Sequence, residues 1–125
     1  MRSNAECPRP GRQRPGEIYL AKCPFGDVLG MKLRPVLLLT APVGTVPEVL
    51  VAYISSVVPT RFLPSDLLLD PAVPGFRSTN LKTTSALRLH KLATIHRFSL
   101  ARYLGVVDSE ARSMVTSKLR DLLQL

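Results

Sequence analysis

Apolar and polar residues alternate along several short segments of the chain, and this period of two is typical of half-buried β-strands. The first segment runs from Ile18 to about Cys23. A second begins at Arg34-Pro35, where the proline is predicted to mark the start of the strand. A third covers residues 49–54. A short strand is predicted at residues 67–69, within a stretch that prolines otherwise break into loops.

The longest alternating segment covers residues 85–97 and is predicted to form one bent strand or two. Leu87 is expected to face inward, and Arg88 and His90 are expected to face outward. The alternation slips near Leu92, which is consistent with a β-bulge.

A helical pattern follows at the C-terminal end. Asp108 or Ser109 is predicted to cap this helix, with Glu110 in the favourable first turn. The helical stripe consists of Ala111, Met114, Val115, Lys118, Leu119 and Leu122. Lys118 is its polar exception, so the stripe is predicted to dock on the sheet, with Met114 in the core. Strands at short intervals and one terminal helix predict a mainly β fold: a small, strongly curved barrel with a helix packed on it.

The first part of the chain has a different composition. Residues 1–15 are rich in arginine and proline and show no periodicity, which predicts a disordered tail before a single domain at residues 16–125. The chain has neither the apolar stretch of a secretory signal nor an apolar run of the ~18–20 residues that a membrane helix requires. A soluble, cytoplasmic protein is therefore expected, with Cys7 and Cys23 as free thiols.

The charge of the chain is strongly positive. The net charge is +8, and the tail contributes four arginines against one glutamate, or +3, which leaves +5 for residues 16–125. No acidic residue occurs between Asp70 and Asp108. A basic surface of this kind favours binding to polyanions or to acidic protein segments.

Most motifs that carry known chemistry are absent from the sequence. It contains no P-loop, GxSxG, HExxH or CxxC motif, and its nine acids are too scattered for a paired-carboxylate site. Neither a metal nor a cofactor is expected, since the two histidines lie far from both cysteines. The remaining candidates are Arg34, Ser55, Ser56, Arg88, His90 and His96. Composition alone favours ordinary surface or strand-end residues at these positions.

Five segments, taken in order, resemble the MazF/PemK endoribonuclease toxins. Residues 16–20 (GEIYL) resemble the Gly-Asp-Ile-Tyr/Val-Leu opening of that family, and residues 32–39 (KLRPVLLL) resemble its Arg-Arg-Pro-Val-Leu-Val-Leu segment. Residues 51–56 (VAYISS) are similar to its Val-Ala-Pro-Ile-Thr-Ser segment. Residues 85–95 (SALRLHKLATI) are similar to its Ser-Val-Val-Arg-Leu-Asp-Lys-Ile-Ala-Thr-Leu segment, and residues 103–110 (YLGVVDSE) to the segment before its last helix.

This resemblance covers residues 16–125 and implies an SH3-like barrel of the MazF/PemK/CcdB type. It implies a growth-inhibiting homodimer that cuts single-stranded RNA without a metal, giving 2′,3′-cyclic phosphate and 5′-hydroxyl ends, and that an acidic antitoxin protein neutralises. In the family the arginine of Arg-Pro is catalytic and the threonine of Ile-Thr-Ser assists it, and these roles correspond to Arg34 and Ser55 here. RNA contacts are expected from Lys32, Ser56, Arg88, His90 and Phe25.

The chain departs from the family pattern at several positions. Ser55 replaces the usual threonine, so the hydroxyl is kept and a methyl group is lost, and Val57 stands where a glutamine is common. His90 and His96 replace two acids. These histidines are open to three interpretations: stronger RNA binding, a proton-transfer role, or a changed antitoxin interface.

Three alternatives to an active endoribonuclease differ in what they require. An inactive relative of the same fold would only bind RNA or a protein, and the retained Arg34 and Ser55 hydroxyl argue against it. Toxins of this fold that bind gyrase would not need both of these groups. A stand-alone SH3-like module for proline-rich ligands would normally contain an aromatic cluster, whereas aromatic residues make up 6% of this chain and Trp is absent.

Overall fold

The structure, a computed structural model, describes residues 11–23 and 32–125. Within them, six strands occur: β1 Glu17–Cys23, β2 Lys32–Leu38, β3 Glu48–Ser55, β4 Asp66–Leu69, β5 Ser85–His96 and β6 Leu100–Val106. Two short 3-10 helices, Pro74–Thr79 and Arg97–Ser99, lie in the connections, and the α-helix α1, Ser109–Leu123, follows β6. The strands form one antiparallel sheet in the order β4-β5-β3-β2-β1-β6. The predicted mainly β fold with a C-terminal helix is confirmed.

Two strands differ from the sequence-based prediction. Pro35 lies inside β2, across from Leu20 of β1, and does not mark the start of the strand. A residue without an N–H is tolerated there because the pairing of β2 with β3 begins only at Val36. Strand β6 is absent from the prediction. Its pairing with β1 shifts register twice, which disturbs the regular alternation of buried and exposed positions.

The predicted bulge in β5 is confirmed. Ala52 of β3 pairs with Leu92, but the next residue, Tyr53, pairs with Arg88, so residues 89–91 lie between two consecutive partners. This insertion lets Leu89 and Leu92 pack in the same apolar cluster, although they are three residues apart. Arg88 stays on the opposite face of the sheet.

The sheet has an apolar cluster on each face. The cluster between the sheet and α1 includes Ile18, Leu37, Ile54, Leu87, Ala111 and Val115. The cluster on the other face consists of Tyr19, Ala21, Cys23, Val36, Leu38, Val49, Val51 and Ile95, all buried. The face that carries this second cluster is called the open face below, because α1 does not cover it.

The two edge strands are joined through the connection between β4 and β5. Among the described residues, no strand pairing joins β4 to β6. Instead, the 3-10 helix at Pro74–Thr79 lies against β6, where Ser78 Oγ donates to Val106 O at 2.6 Å and Asn80 Nδ2 donates to Leu104 O at 2.8 Å. A Cβ added at Gly105 would overlap the carbonyl oxygens of residues 78 and 79, so this close approach requires glycine.

Helix α1 is capped as predicted, and its stripe docks on the sheet only in part. Asp108 Oδ1 accepts a hydrogen bond from Ala111 N at 2.8 Å, and Lys118 Nζ donates to Pro64 O at 2.9 Å. The prediction that Met114 lies in the core is wrong, since 41% of its surface is exposed. Successive helical residues are about 100° apart, and because the buried Val115 faces the sheet, Met114 falls at the edge of the stripe.

Residues 11–14 contact β1 through a small hydrogen-bond network. Gly11 N and Arg14 N donate to the Glu17 carboxylate at 3.2 and 3.1 Å, and Gln13 N donates to Tyr19 Oη at 2.8 Å. Tyr19 Oη in turn donates to Glu17 Oε1 at 2.8 Å; burial and this carboxylate raise the pKa of the tyrosine. Hydrogen-bonded structure therefore begins before residue 16, the start predicted for the domain. Residues 1–10 of the predicted tail lie outside the described residues.

No helix within residues 11–23 and 32–125 has both the length and the apolar character needed to cross a membrane.

Candidate active site

The register of β2 and β3 relates Arg34 to Ser55. Val36 pairs with Tyr53 at the end of the β2–β3 ladder, and Arg34 and Ser55 lie two residues beyond this pair, one on each strand. Both side chains belong to the open face, because alternate residues of a strand share a face. Arg34 is also paired with Ala21 of β1 and is partly exposed. Within the described residues, no carboxylate forms an ion pair with Arg34.

The Ser55 hydroxyl takes part in a tight turn at the end of β3. Its Oγ accepts from Val57 N at 3.1 Å and lies 3.2 Å from Val57 O, to which it donates. Such a hydroxyl turn fixes the backbone just after the strand. Ser55 therefore shapes this corner of the sheet in addition to presenting a polar atom there.

Arg88 lies next to these residues and is held by a buried acid. In β5 it pairs with Tyr53 of β3 on one side and with Asp66 of β4 on the other. Arg88 Nε donates to Asp66 Oδ1 at 2.8 Å, while Asp66 Oδ2 accepts from Leu63 N at 2.8 Å. The Asp66 side chain is fully buried and that of Arg88 is 17% exposed. Since Nε is used, the four terminal N–H donors of Arg88 are left for other partners.

The two histidines lie at different places. His90 is in the bulge of β5, and its Nδ1 is 3.9 Å from Asp66 Oδ1. His96 pairs with Glu48 at the far end of β3, about 24 Å along the strand from Ser55. Its Nδ1 accepts from Phe98 N at 3.1 Å, and its ring packs on that phenyl ring at 5.0 Å between centroids. His90 therefore lies beside Asp66 and Arg88, whereas His96 lies far from them.

The other predicted RNA contacts are distributed unevenly. Lys32 is exposed, two residues before Arg34, and so belongs to the same face. Ser56 follows β3 and lines a separate pocket with Pro35 and Arg102. Phe25 lies outside the described residues.

Sequence reasoning does not identify Asp66 as a residue of this face. Asp66 gives no signal in the sequence, because a single acid before three leucines reads as an ordinary turn residue. From the sequence, Tyr53 is a candidate for stacking on a base, although the core is its favoured position. In the structure it is only partly buried, and Lys91 Nζ lies 5.6 Å from its ring centroid. A row of side chains therefore crosses the open face from Asp66 through Arg88 to Tyr53.

Cys23 is a free, buried thiol, as the sequence predicts, while Cys7 lies outside the described residues. In the part of the chain that the structure describes, no three His, Cys, Asp or Glu side chains form a group that could hold a metal ion.

Comparison with protein families identifies the chain. The family described as PemK-like, MazF-like toxin of type II toxin-antitoxin system matches residues 14–123. The chain belongs to this family. The resemblance of the five sequence segments to MazF/PemK toxins is therefore confirmed, and the match covers nearly all of the predicted domain.

Solved structures of MazF proteins share the fold. The Mycobacterium tuberculosis toxin MazF-mt6 is 26% identical, with a TM-score of 0.66 over 87% of this chain and 97% of that one. An endoribonuclease in complex with its cognate antitoxin from a mycobacterial species is 18% identical, with a TM-score of 0.65 over 90% and 95%. MazF from Deinococcus radiodurans is 16% identical, with a TM-score of 0.61 over 90% and 96%. No curated protein matches the chain in sequence.

Proposed function

We propose that this PemK/MazF-family chain is an endoribonuclease toxin that cuts single-stranded RNA, with the 2′-hydroxyl of the RNA as the nucleophile. Membership of the family supports the proposal, as does the description of a similar structure as an endoribonuclease. The observation that carries it is that Arg34, Ser55 and Arg88 share one face on three neighbouring strands, although they are far apart in sequence.

The proposed reaction is a transesterification within the RNA. The 2′-oxygen forms a bond to phosphorus, and the bond from phosphorus to the 5′-oxygen breaks. The 2′-hydroxyl loses its proton to solvent and the 5′-oxygen gains one, so the step consumes no net proton and gives a 2′,3′-cyclic phosphate and a 5′-hydroxyl. Because the RNA supplies the nucleophile, the protein has to align the groups, stabilise charge on the phosphorane and assist proton transfer.

Arg34 is assigned the central role. Its guanidinium presents a planar fork of charged donors that matches two phosphate oxygens, so it can stabilise the phosphorane. It has no acceptor, so we assign it proton donation to the leaving 5′-oxygen and not the role of a base. Ser55 contributes a hydrogen bond to the same phosphate, for which its hydroxyl exchanges the contact with Val57 O.

The neighbouring residues of the open face are assigned RNA binding. Arg88, oriented by Asp66, supplies donors for a second phosphate, and Lys32 adds positive charge on the side of Arg34. His90 is assigned a contact near Arg88, and the partly buried ring of Tyr53 offers a surface for a base. Phe25 and Ser56 complete the proposed RNA contacts.

The proposed partner of the toxin is an acidic antitoxin. Similar structures are described as an endoribonuclease with its cognate antitoxin and as MazE-MazF from Deinococcus radiodurans. A partly disordered acidic segment that folds onto the basic open face would exclude RNA from it. Copurification from the native host, followed by mass spectrometry, should recover such a protein; isolation of the toxin alone, without harm at high expression, would contradict this.

We also propose a two-fold dimer in which the RNA groove is shared. Sedimentation at micromolar concentration should then give about twice the chain mass of 13.8 kDa. A monomer that cleaves RNA would contradict a shared groove.

The activity is tested with a mixed-sequence RNA in the presence of EDTA, with the same sequences as RNA duplexes and as DNA for comparison. Cleavage of the single strands alone, with 5′-hydroxyl ends, is the expected result. Activity that EDTA removes and magnesium restores would contradict the metal-free mechanism. RNA binding without cleavage would favour the alternative, an inactive relative that only binds RNA or a protein.

A further inference from the structure

Residues 11–14 lie against the open face before the chain enters β1, and they are called the strap below. A Cβ added at Gly11 would be 3.5 Å from Tyr103 Cβ and 4.0 Å from Tyr19 Oη. Tyr19 belongs to the apolar cluster of the open face, and Tyr103 packs against that cluster. The strap therefore lies on the same face of the sheet as the proposed catalytic residues.

A buried carboxylate anchors the strap to β1. Glu17 is 5% exposed, and its oxygens accept hydrogen bonds from Gly11 N, Arg14 N and Tyr19 Oη. A buried charge is costly unless hydrogen bonds compensate it. Release of the strap would take two of these three donors away from the carboxylate, so the strap is held on the face without a ligand.

The middle of the strap has a conformation that needs support from its surroundings. Gln13 has a φ of 59°, in the left-handed region that residues with a Cβ rarely adopt. Its N–H donates to Tyr19 Oη at 2.8 Å, and its Nε2 donates to Arg97 O at 3.5 Å. Such backbone strain persists only where neighbouring structure fixes it, and it is concentrated at functional positions. The strap is thus a built feature of the open face.

The strap presents positive charge. Arg12 is exposed, although the residue on either side of it donates an N–H to β1, and Arg14 is partly exposed. Neither arginine takes part in the ion pairs found among the described residues. The match to the toxin family begins at residue 14. Arg12 therefore precedes the part of the chain that the family describes, and family membership does not account for its position.

The strap is separated from the proposed catalytic residues along the open face. Glu17, its anchor, is four residues along β1 from Ala21, or about 13 Å at the usual rise of a strand. Ala21 pairs with Arg34. An RNA strand that is bound at Arg34 therefore reaches the strap with nucleotides outside the cleavage site.

We propose that the strap is a second contact for the RNA, in which Arg12 binds a phosphate at a distance from the scissile one. A guanidinium offers several charged donors to phosphate oxygens, and contacts to phosphates carry no information on sequence. The strap therefore raises the affinity for single-stranded RNA of any sequence. The inference takes its ligand from the proposed endoribonuclease function, and its test keeps the two apart.

The test measures binding to a labelled single-stranded RNA of mixed sequence in which every 2′-hydroxyl is methylated, so that the proposed reaction cannot cleave it. Arg12→Gln should raise the dissociation constant by about 3–5-fold, the upper end for an exposed charge pair. The slope of log affinity against log salt should become shallower by about 0.7, the value for one phosphate of a single strand. Arg120→Gln, an equal change of charge on the exposed side of α1, is the matched control and should leave both quantities unchanged.

A second variant tests the anchor and separates the strap from an effect of net charge. Glu17→Gln removes a negative charge, so net charge alone predicts stronger RNA binding. Loss of the anchor predicts the opposite: a dissociation constant raised as much as by Arg12→Gln, and no further effect of Arg12→Gln in the Glu17→Gln background. Tyr19→Phe removes the acceptor of Gln13 N without a change of charge and should also weaken binding. Thermal unfolding checks that each variant is folded, and Arg12→Gln, at an exposed position, carries the test if Glu17→Gln does not fold.

The outcomes that contradict the inference differ from those that contradict the nuclease. An unchanged dissociation constant and salt slope in Arg12→Gln would overturn the inference, as would stronger RNA binding by a folded Glu17→Gln. Loss of antitoxin binding in Arg12→Gln with RNA binding intact would assign the strap to the antitoxin and overturn it too. A wild type that binds the methylated RNA but cleaves no ordinary RNA would contradict the proposed function alone, since the comparison of Arg12→Gln with Arg120→Gln still decides the role of the strap. A wild type that binds no RNA would contradict both.

Discussion

Asp66 and Arg88 face each other across β4 and β5, and the buried carboxylate of one accepts a hydrogen bond from Nε of the other at 2.8 Å. This contact restricts the guanidinium of Arg88 to one orientation on the open face. Asp66→Asn keeps the shape of the side chain and removes its charge. It should lower the single-turnover cleavage rate by about 10-fold, the effect expected when a hydrogen bond between charged groups is weakened.

A double-mutant cycle separates this positioning role from a general loss of stability. Asp66→Asn should have no further effect on the rate in an Arg88→Ala background, because Asp66 acts through Arg88. Thermal unfolding of the same four proteins serves as the control for folding. Rate losses that add in the double variant would contradict the positioning role.

The separation of the two histidines predicts different effects for the same substitution. His96→Gln should leave the cleavage rate unchanged within about 2-fold, since His96 ends β5 and pairs with Glu48 at the far end of β3. His90→Gln should weaken RNA binding and lower the rate less than a change at Arg34 does, because His90 lies beside Arg88. Single-turnover rates at saturating protein measure both effects. Abolition of cleavage by His90→Gln would make His90 the general base.

The close contact at Gly105 predicts a large effect on stability. Gly105→Ala places a methyl group against the carbonyl oxygens of Ser78 and Thr79, so this backbone has to shift. The free energy of unfolding should fall by an amount at the upper end of the ~1–3 kcal/mol for overpacking. Gly75→Ala is the matched control, because Gly75 lies on the 3-10 helix that contains Ser78 and Thr79. Its new Cβ would be 3.7 Å from Asp108 Oδ2, an ordinary van der Waals contact. Equal urea midpoints for the two variants would contradict this account.

The local sequence patterns allow most of the fold to be predicted, whereas the arrangement of the site residues depends on which strands pair and in which register. Alternation identifies β1, β3 and the bulge of β5, and the cap at Asp108 marks the start of α1. These signals depend on near neighbours in sequence. The placement of Arg34 and Ser55 just beyond the same pair of the β2–β3 ladder depends on the register between two strands, which local pattern does not specify; from the sequence, only the resemblance to the toxin family relates the two residues.

The same reasoning explains what the sequence does not reveal. Asp66 is buried because it pairs with Arg88 and caps Leu63 N, and neither contact leaves a local signal in the sequence. Strand β6 shows no regular alternation in the sequence, because its pairing with β1 shifts register twice. Met114 follows the helical period, but the sheet covers a narrower stripe of α1 than the period predicts.

Burial of Cys23 predicts a loss of stability at alkaline pH. Burial raises the pKa of the thiol to about 11, against roughly 8.5 in an unfolded chain. The folded state therefore holds this proton more tightly, so its contribution is complete below about pH 8.5 and is lost as the pH rises towards 11. Between pH 8 and pH 10.5 the wild type should lose about 2 kcal/mol more than Cys23→Ala, measured by urea unfolding. Parallel curves for the two proteins would contradict the burial of an ionisable thiol.

The role of Arg34 is the central claim, and three variants define it. Arg34→Lys keeps the charge and loses the planar fork of donors. Arg34→Ala removes both the charge and the fork of donors. Ser55→Ala removes only a neutral hydroxyl, so Ser55→Ala should lower the cleavage rate less than Arg34→Ala does. RNA affinity should change little in all three, because the other basic residues of the open face support binding in the ground state.

The most direct measurement is the single-turnover cleavage rate of Arg34→Lys at saturating protein, with the RNA dissociation constant determined in parallel. If Arg34 stabilises the phosphorane, the rate should fall by roughly 10²–10³-fold, the range for one lost transition-state donor, while the affinity changes by less than about 5-fold. A rate near that of the wild type would contradict the proposed mechanism and remove Arg34 from it.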